Sequence, residues 1–126
     1  MKKSRLLFSF LFIIALNFNG FAQEEVPKEL LLSGLNSVSH LKLENEQITQ
    51  VMEYNKGFVD DVYDVLESEN TDKYKKKTIK TLGEQREIDI REFLGRHKTN
   101  KYLKLMEDEL RPLGRRNHLL KPIIKS

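Results

Sequence analysis

Three histidines, an acidic triplet and a serine-rich turn are the residues of the types that chemistry uses. His40, His97 and His118 occur singly, and the chain has no Cys. No His has a second His at i+4, so the spacing that holds zinc is missing and solvated loop histidines are expected. Asp60, Asp61 and Asp64 present three carboxylates. They lack the glycine and the alternating oxygen ligands of a calcium loop, so a solvated helix face or pairing with lysines is expected. Ser33, Ser37 and Ser39 precede His40, but near neighbours along one helix do not make a catalytic triad. There is no glycine-rich phosphate loop and no G-x-S-x-G turn. The residues therefore point to no enzyme activity, no cofactor and no metal.

The elements that would position any site are helical. The stretch from Leu41 to Leu66, LKLENEQITQVMEYNKGFVDDVYDVL, is the clearest amphipathic run. Ile48, Val51, Met52, Asn55, Phe58, Val59, Val62, Tyr63 and Leu66 follow the helical period, and Glu46, Gln50, Glu53, Lys56, Asp60, Asp61, Asp64 and Glu67 take the opposite face. Gly57 sits inside this run, where a bend or a close helix approach is expected. A turn at Ser68–Thr71 leads to a second helix from about Asp72 to Leu94, with Tyr74, Ile79, Leu82, Arg86, Ile90 and Phe93 inward. Residues 95–100 break the pattern. A third helix follows from about Lys101 to Leu110, with Tyr102, Leu103, Met106 and Leu110 inward, ended by Pro112 and Gly114. Before the long run, a short helix starts at Pro27. No strand alternation persists. The expected class is all-α: an elongated antiparallel helical hairpin with short flanking helices.

Residues 1–22 have the layout of a secretory signal peptide. Lys2, Lys3 and Arg5 precede the apolar run Leu6–Leu16, and Gly20-Phe21-Ala22 offers a cut after Ala22. That run is shorter than the ~20 residues needed to span a bilayer. The expected organisation is a leader over 1–22, an N-terminal segment over 23–40, a helical domain over 41–111 and a C-terminal tail over 112–126. The tail is expected to be disordered, or else an arm that docks on a partner through Leu119, Leu120, Ile123 and Ile124. Export to the periplasm is expected, with no membrane attachment once the leader is gone.

The leader also carries the charge imbalance. The whole chain has 22 basic and 19 acidic residues; without the three basic residues of the leader the numbers are equal, so nucleic acid is not an expected partner. The neutrality hides segregation. Residues 24–72 hold 12 acids and three bases, whereas residues 73–126 hold seven acids and 16 bases. Two such halves attract, within one chain or across a dimer. The lysines at 73, 75, 76, 77 and 80 oppose the dipole of the helix they open, which is accommodated if they meet the acidic end of the preceding helix.

The start of the long helix, Leu43-Glu44-Asn45-Glu46-Gln47-Ile48, resembles the LTxxQ motif of the Spy/CpxP family of exported helical proteins. In that motif Leu precedes the N-cap, Thr caps, Gln reaches back from the third helical position and the next apolar residue completes a hydrophobic staple. Leu43, Gln47 and Ile48 match; Glu44 stands where Thr belongs, and Asn45 offers a competing cap. The second family motif corresponds to Phe93–Tyr102, where Leu94 and Tyr102 match but Gly95 and Lys98 replace Thr and Gln. The resemblance covers about residues 41–110. It implies a periplasmic all-α protein, often a curved antiparallel dimer, acting as an ATP-independent chaperone or a stress-linked regulator. The expected partners are unfolded or envelope proteins and a second copy in a homodimer. The expected binding or dimer face comprises Val51, Met52, Phe58, Val62, Lys75, Lys76, Lys77, Leu82, Arg86 and Phe93. The rival expectation is a regulatory or sensor module that docks on a single envelope partner without chaperone activity.

Overall fold

The computed structural model describes residues 25–124; the leader expected over 1–22, with its cut near Ala22, lies outside them. All regular structure among the described residues is helical. Helix α1 spans Lys28–Leu35, a 3-10 turn Ser39–Leu41, α2 Asn45–Leu66, α3 Asp72–Arg116, a second 3-10 turn His118–Leu120 and α4 Lys121–Ile124.

Pro27 stands just before α1 rather than at its first position, and its carbonyl accepts the first helical bond from the Leu30 N–H at 3.0 Å. Lys42, with a left-handed φ of 52°, reverses the chain into α2. Helix α2 starts at Asn45 with Glu44 as N-cap, and buries Val51, Asn55, Phe58, Val59 and Val62. Those positions repeat at three- and four-residue steps, so one face carries the whole core contribution. The turn to α3 is tied by Ser68 Oγ donating to the Val65 carbonyl at 2.7 Å and by Thr71 Oγ1 accepting from the Tyr74 N–H at 3.2 Å.

Helix α3 is broken at Gly95, whose φ of 82° and ψ of 165° divide it into arms over 72–94 and 96–116. A backbone of that geometry is open essentially to glycine alone. The first arm forms the expected antiparallel hairpin with α2. The second arm turns back on the first. Arg91 Nη2 donates to Asn100 Oδ1 at 2.9 Å and Arg86 Nη2 to the Tyr102 hydroxyl. Pairs nine and sixteen residues apart that straddle Gly95 require the arms to lie side by side. The hairpin is thereby thickened into an antiparallel three-helix bundle.

Three sequence expectations change here. The break occupies Gly95 alone, so the third helix begins at 96 and not at about Lys101. That helix runs through Pro112 and Gly114 to Arg116, because Leu110, Leu113 and Gly114 all face the core and hold the last turns in place. The tail is ordered through Ile124: Leu119, Leu120 and Ile123 are 2%, 1% and 6% exposed. Each such side chain gains about 1.5–3 kcal/mol on burial, which offsets much of the cost of ordering the segment. Asn117 Oδ1 caps the turn by accepting from the Leu119 N–H at 3.0 Å. Glycine makes the close approaches possible. A Cβ at Gly114 would meet Ile124 Cδ1 at 2.6 Å, and one at Gly34 would meet Leu110 Cδ2 at 2.7 Å.

Candidate functional site

A groove of about 410 Å³ runs along the hairpin, between α2 and the first arm of α3. Helix α2 lends it Glu53, Tyr54, Gly57, Phe58 and Asp61; α3 lends Leu82, Gln85, Arg86 and Asp89. Both sets repeat at helical spacing, so the groove follows two helix flanks in parallel. Its wall is aromatic and its rim carries three carboxylates. Tyr54 is 43% exposed and stacks on Phe93, with ring centroids 5.2 Å apart. Gly57 makes no close helix approach: a Cβ there would meet nothing within 4 Å. Its missing side chain keeps the groove open.

The floor is Arg86, only 6% exposed. Its Nε and Nη2 donate to Asn55 Oδ1 at 3.0 and 2.8 Å, and Nη2 also reaches the Tyr102 hydroxyl. Its guanidinium carbon lies 5.1 Å from the Phe58 ring centroid and 5.3 Å from that of Tyr102, a cation–π sandwich that partly replaces lost hydration. Asn55 Nδ2 in turn donates to the Leu35 carbonyl at 2.9 Å and to Asn36 Oδ1 at 2.8 Å. The Tyr102 hydroxyl donates to the same Leu35 carbonyl at 2.6 Å. A helix end leaves its last carbonyls without partners; here the last residue of α1 has both lone pairs filled by α2 and the second arm.

This network joins every main helix around one positive charge that has no carboxylate partner among the described residues. Burial pushes the Arg86 pKa below its ordinary value, opposed by the adjacent Tyr102 and Glu87. Burial pushes the Tyr102 hydroxyl up, opposed first by Arg86. The charge is stabilised by amide, hydroxyl and ring dipoles and by the negative end of α1. The floor is thus a fixed polar scaffold beneath a surface groove.

The expected binding face is only partly gathered at this groove. Phe58, Leu82 and Arg86 line it, and Phe93 supports it through Tyr54. Val51 and Val62 are fully buried, so they offer no surface to a partner; the α2 face they share packs inside the bundle. Met52 is 46% exposed but does not line the groove. Lys75 Nζ donates to the Leu66 carbonyl at 2.8 Å, capping the end of α2, while Lys76 and Lys77 line a separate groove with Lys121. The lysine run takes no carboxylate of the acidic end of α2, against expectation. Lys73, Lys76, Lys77 and Lys80 fall on one helix face, which the inward placement of Ile79 and Arg86 turns toward α4. Asp60 pairs instead with Lys28 of α1.

The capping residues lie at the opposite end of the bundle. Gln47 Oε1 accepts from the Glu44 N–H at 3.1 Å, and Asn45 is already the first helical residue. Leu43 and Ile48 pack, partly buried, on the core. Gln47 also binds the Gly95 corner: Nε2 donates to the Phe93 carbonyl at 3.4 Å, and Oε1 accepts from Lys98 Nζ at 3.1 Å. Nothing in the residue pattern marks Tyr54, Gln85 or Asp89, and Glu53 and Asp61 belong to the polar face of α2. The signal the sequence does carry is Asn55, a polar residue inside an apolar stripe.

Among the described residues no cluster of three or more His, Asp or Glu is placed to hold a metal, and no helix is long and apolar enough to cross a membrane. Compared with family models, curated proteins and solved structures, the chain finds no match in any of the three.

Proposed function

We propose that this chain is an exported helical binding protein that captures exposed segments of unfolded or envelope proteins without ATP, in the manner of the Spy/CpxP proteins its motif resembles. The observation that carries this reading is the hairpin groove. An aromatic wall at Tyr54 and Phe58 takes an apolar side chain, and the Glu53, Asp61 and Asp89 rim favours a basic neighbour on the same segment. The occupant is therefore an extended stretch that mixes Lys or Arg with apolar residues. The fixed floor limits the ordering cost on the protein's side.

The test is suppression of aggregation of a basic model client in the absence of ATP. Suppression is expected, and it should fall when Tyr54→Ala and Asp89→Lys are introduced together. No suppression at several-fold excess would sink the reading. A homodimer belongs to the same proposal and is read from the solution mass. The rival reading, docking of a regulatory module on a single envelope partner, no longer has the 119–124 segment as a free arm. It is left with the lysine-rich start of α3.

A further inference from the structure

The lysine groove is independent of the hairpin groove. Lys73, Lys76, Lys77 and Lys80 line one wall, Lys121 and Pro122 the other, around a volume of about 470 Å³. The four α3 lysines fall at i, i+3, i+4 and i+7, one stripe along the helix. Lys121 arrives from α4, more than forty residues later in the chain, so the convergence is tertiary. No carboxylate lines the groove, and none of the five lysines has an acidic partner among the described residues. The stripe also starts at the positive end of the α3 dipole. Five like charges gathered here repel one another, and no ion pair with a described carboxylate relieves them.

We propose that this groove binds an anion carrying two or more phosphate groups. Lys73 to Lys80 spans about 10 Å of helix, enough to meet two neighbouring phosphates. Lysine ammonium groups serve phosphate as point charges that need no fixed fork geometry. A concave site of this volume takes a headgroup-sized anion. The same chemistry is offered by a soluble oligophosphate and by the headgroups of an anionic lipid surface, and the two probes below separate those sources.

The purified chain is titrated with sodium tripolyphosphate by calorimetry at low salt, and cosedimented in parallel with phosphatidylglycerol vesicles. Saturable binding is expected, weakening as salt rises. It should be roughly tenfold weaker in a Lys76→Ala, Lys77→Ala, Lys80→Ala triple variant, because three charge-assisted contacts are lost. A Lys56→Ala, Lys101→Ala, Lys104→Ala variant loses the same charge elsewhere on the surface and should bind as the parent does. Lys121→Glu, on the opposite wall, should reproduce the loss with the four α3 lysines intact. Binding of tripolyphosphate alone identifies a soluble ligand, and binding of vesicles alone a headgroup; either supports the site if the groove variants, and not the control variant, weaken it. Equal weakening in both triple variants, or no binding of either probe, overturns it. Aggregation suppression should survive the lysine substitutions, so failure here is distinguishable from failure of the client-binding reading.

Discussion

The hairpin groove and the lysine groove enclose similar volumes, about 410 and 470 Å³, and carry opposite charge. They differ most in what lies underneath. The hairpin groove rests on Arg86, which is hydrogen-bonded to α2 and to the second arm of α3 and linked through Asn55 and Tyr102 to the end of α1. Its shape is therefore tied to the integrity of the whole bundle. The lysine groove is made of long side chains on a helix flank, with α4 as its far wall. Its lysines are exposed, and none forms an ion pair with a carboxylate among the described residues. The buried polar floor of the first groove cannot be changed without cost to stability; surface charge in the second can.

The largest test of that difference is Arg86→Ala. It leaves Asn55 Oδ1 and the Tyr102 hydroxyl short of donors inside the core, and should lower stability by about 3 kcal/mol in a urea melt. Replacing Arg86, Asn55 and Tyr102 together by Met, Leu and Phe should cost more than the single change, since the Leu35 carbonyl and Asn36 Oδ1 then lose their donors as well. A triple variant as stable as Arg86→Ala would mean that the network does not hold those acceptors. Next in size is Gly95→Ala, which strains a φ of 82° and should cost about 2 kcal/mol. The loss should appear in thermal unfolding, because the second arm supports the floor of the hairpin groove.

The remaining substitutions separate the grooves without harming the fold. Gly57→Ala should raise stability by about 0.8 kcal/mol through helix propensity, because its Cβ meets nothing within 4 Å. The Cβ should narrow the hairpin groove, so client capture should weaken while the melting temperature rises. Lys73→Glu places a carboxylate in the first turn of α3 and should stabilise by about 0.5 kcal/mol at low salt, fading as salt is added. That variant should leave client capture unchanged and weaken phosphate binding. A Lys73→Glu protein that melts earlier than the parent at low salt would mean that the lysine groove has a structural partner after all.

Much of this architecture was legible in the residues. The stripe from Val51 to Val62 and the turn at Ser68–Thr71 define a helical hairpin by local period and capping alone, and residues 95–100 mark a break between two helical patterns, which the structure narrows to Gly95. The candidate site was harder to read. Asn55 and Arg86 sit in apolar stripes 31 positions apart, and only their pairing explains either of them. The lysine run was expected to face the acids of α2 because the two are close in sequence; helix phase, which no net charge reveals, turns it toward α4.

Local periodicity and backbone chemistry were enough to determine the all-α class, the α2–α3 hairpin and a break within residues 95–100, because each depends on neighbours within one or two helical turns. The tertiary structure alone decided that the second arm folds back, that the 119–124 segment is buried, and which charges remain open. Those outcomes rest on contacts between residues far apart in the chain: Leu35 with Tyr102, Arg86 with Asn55, and Gly114 with Ile124.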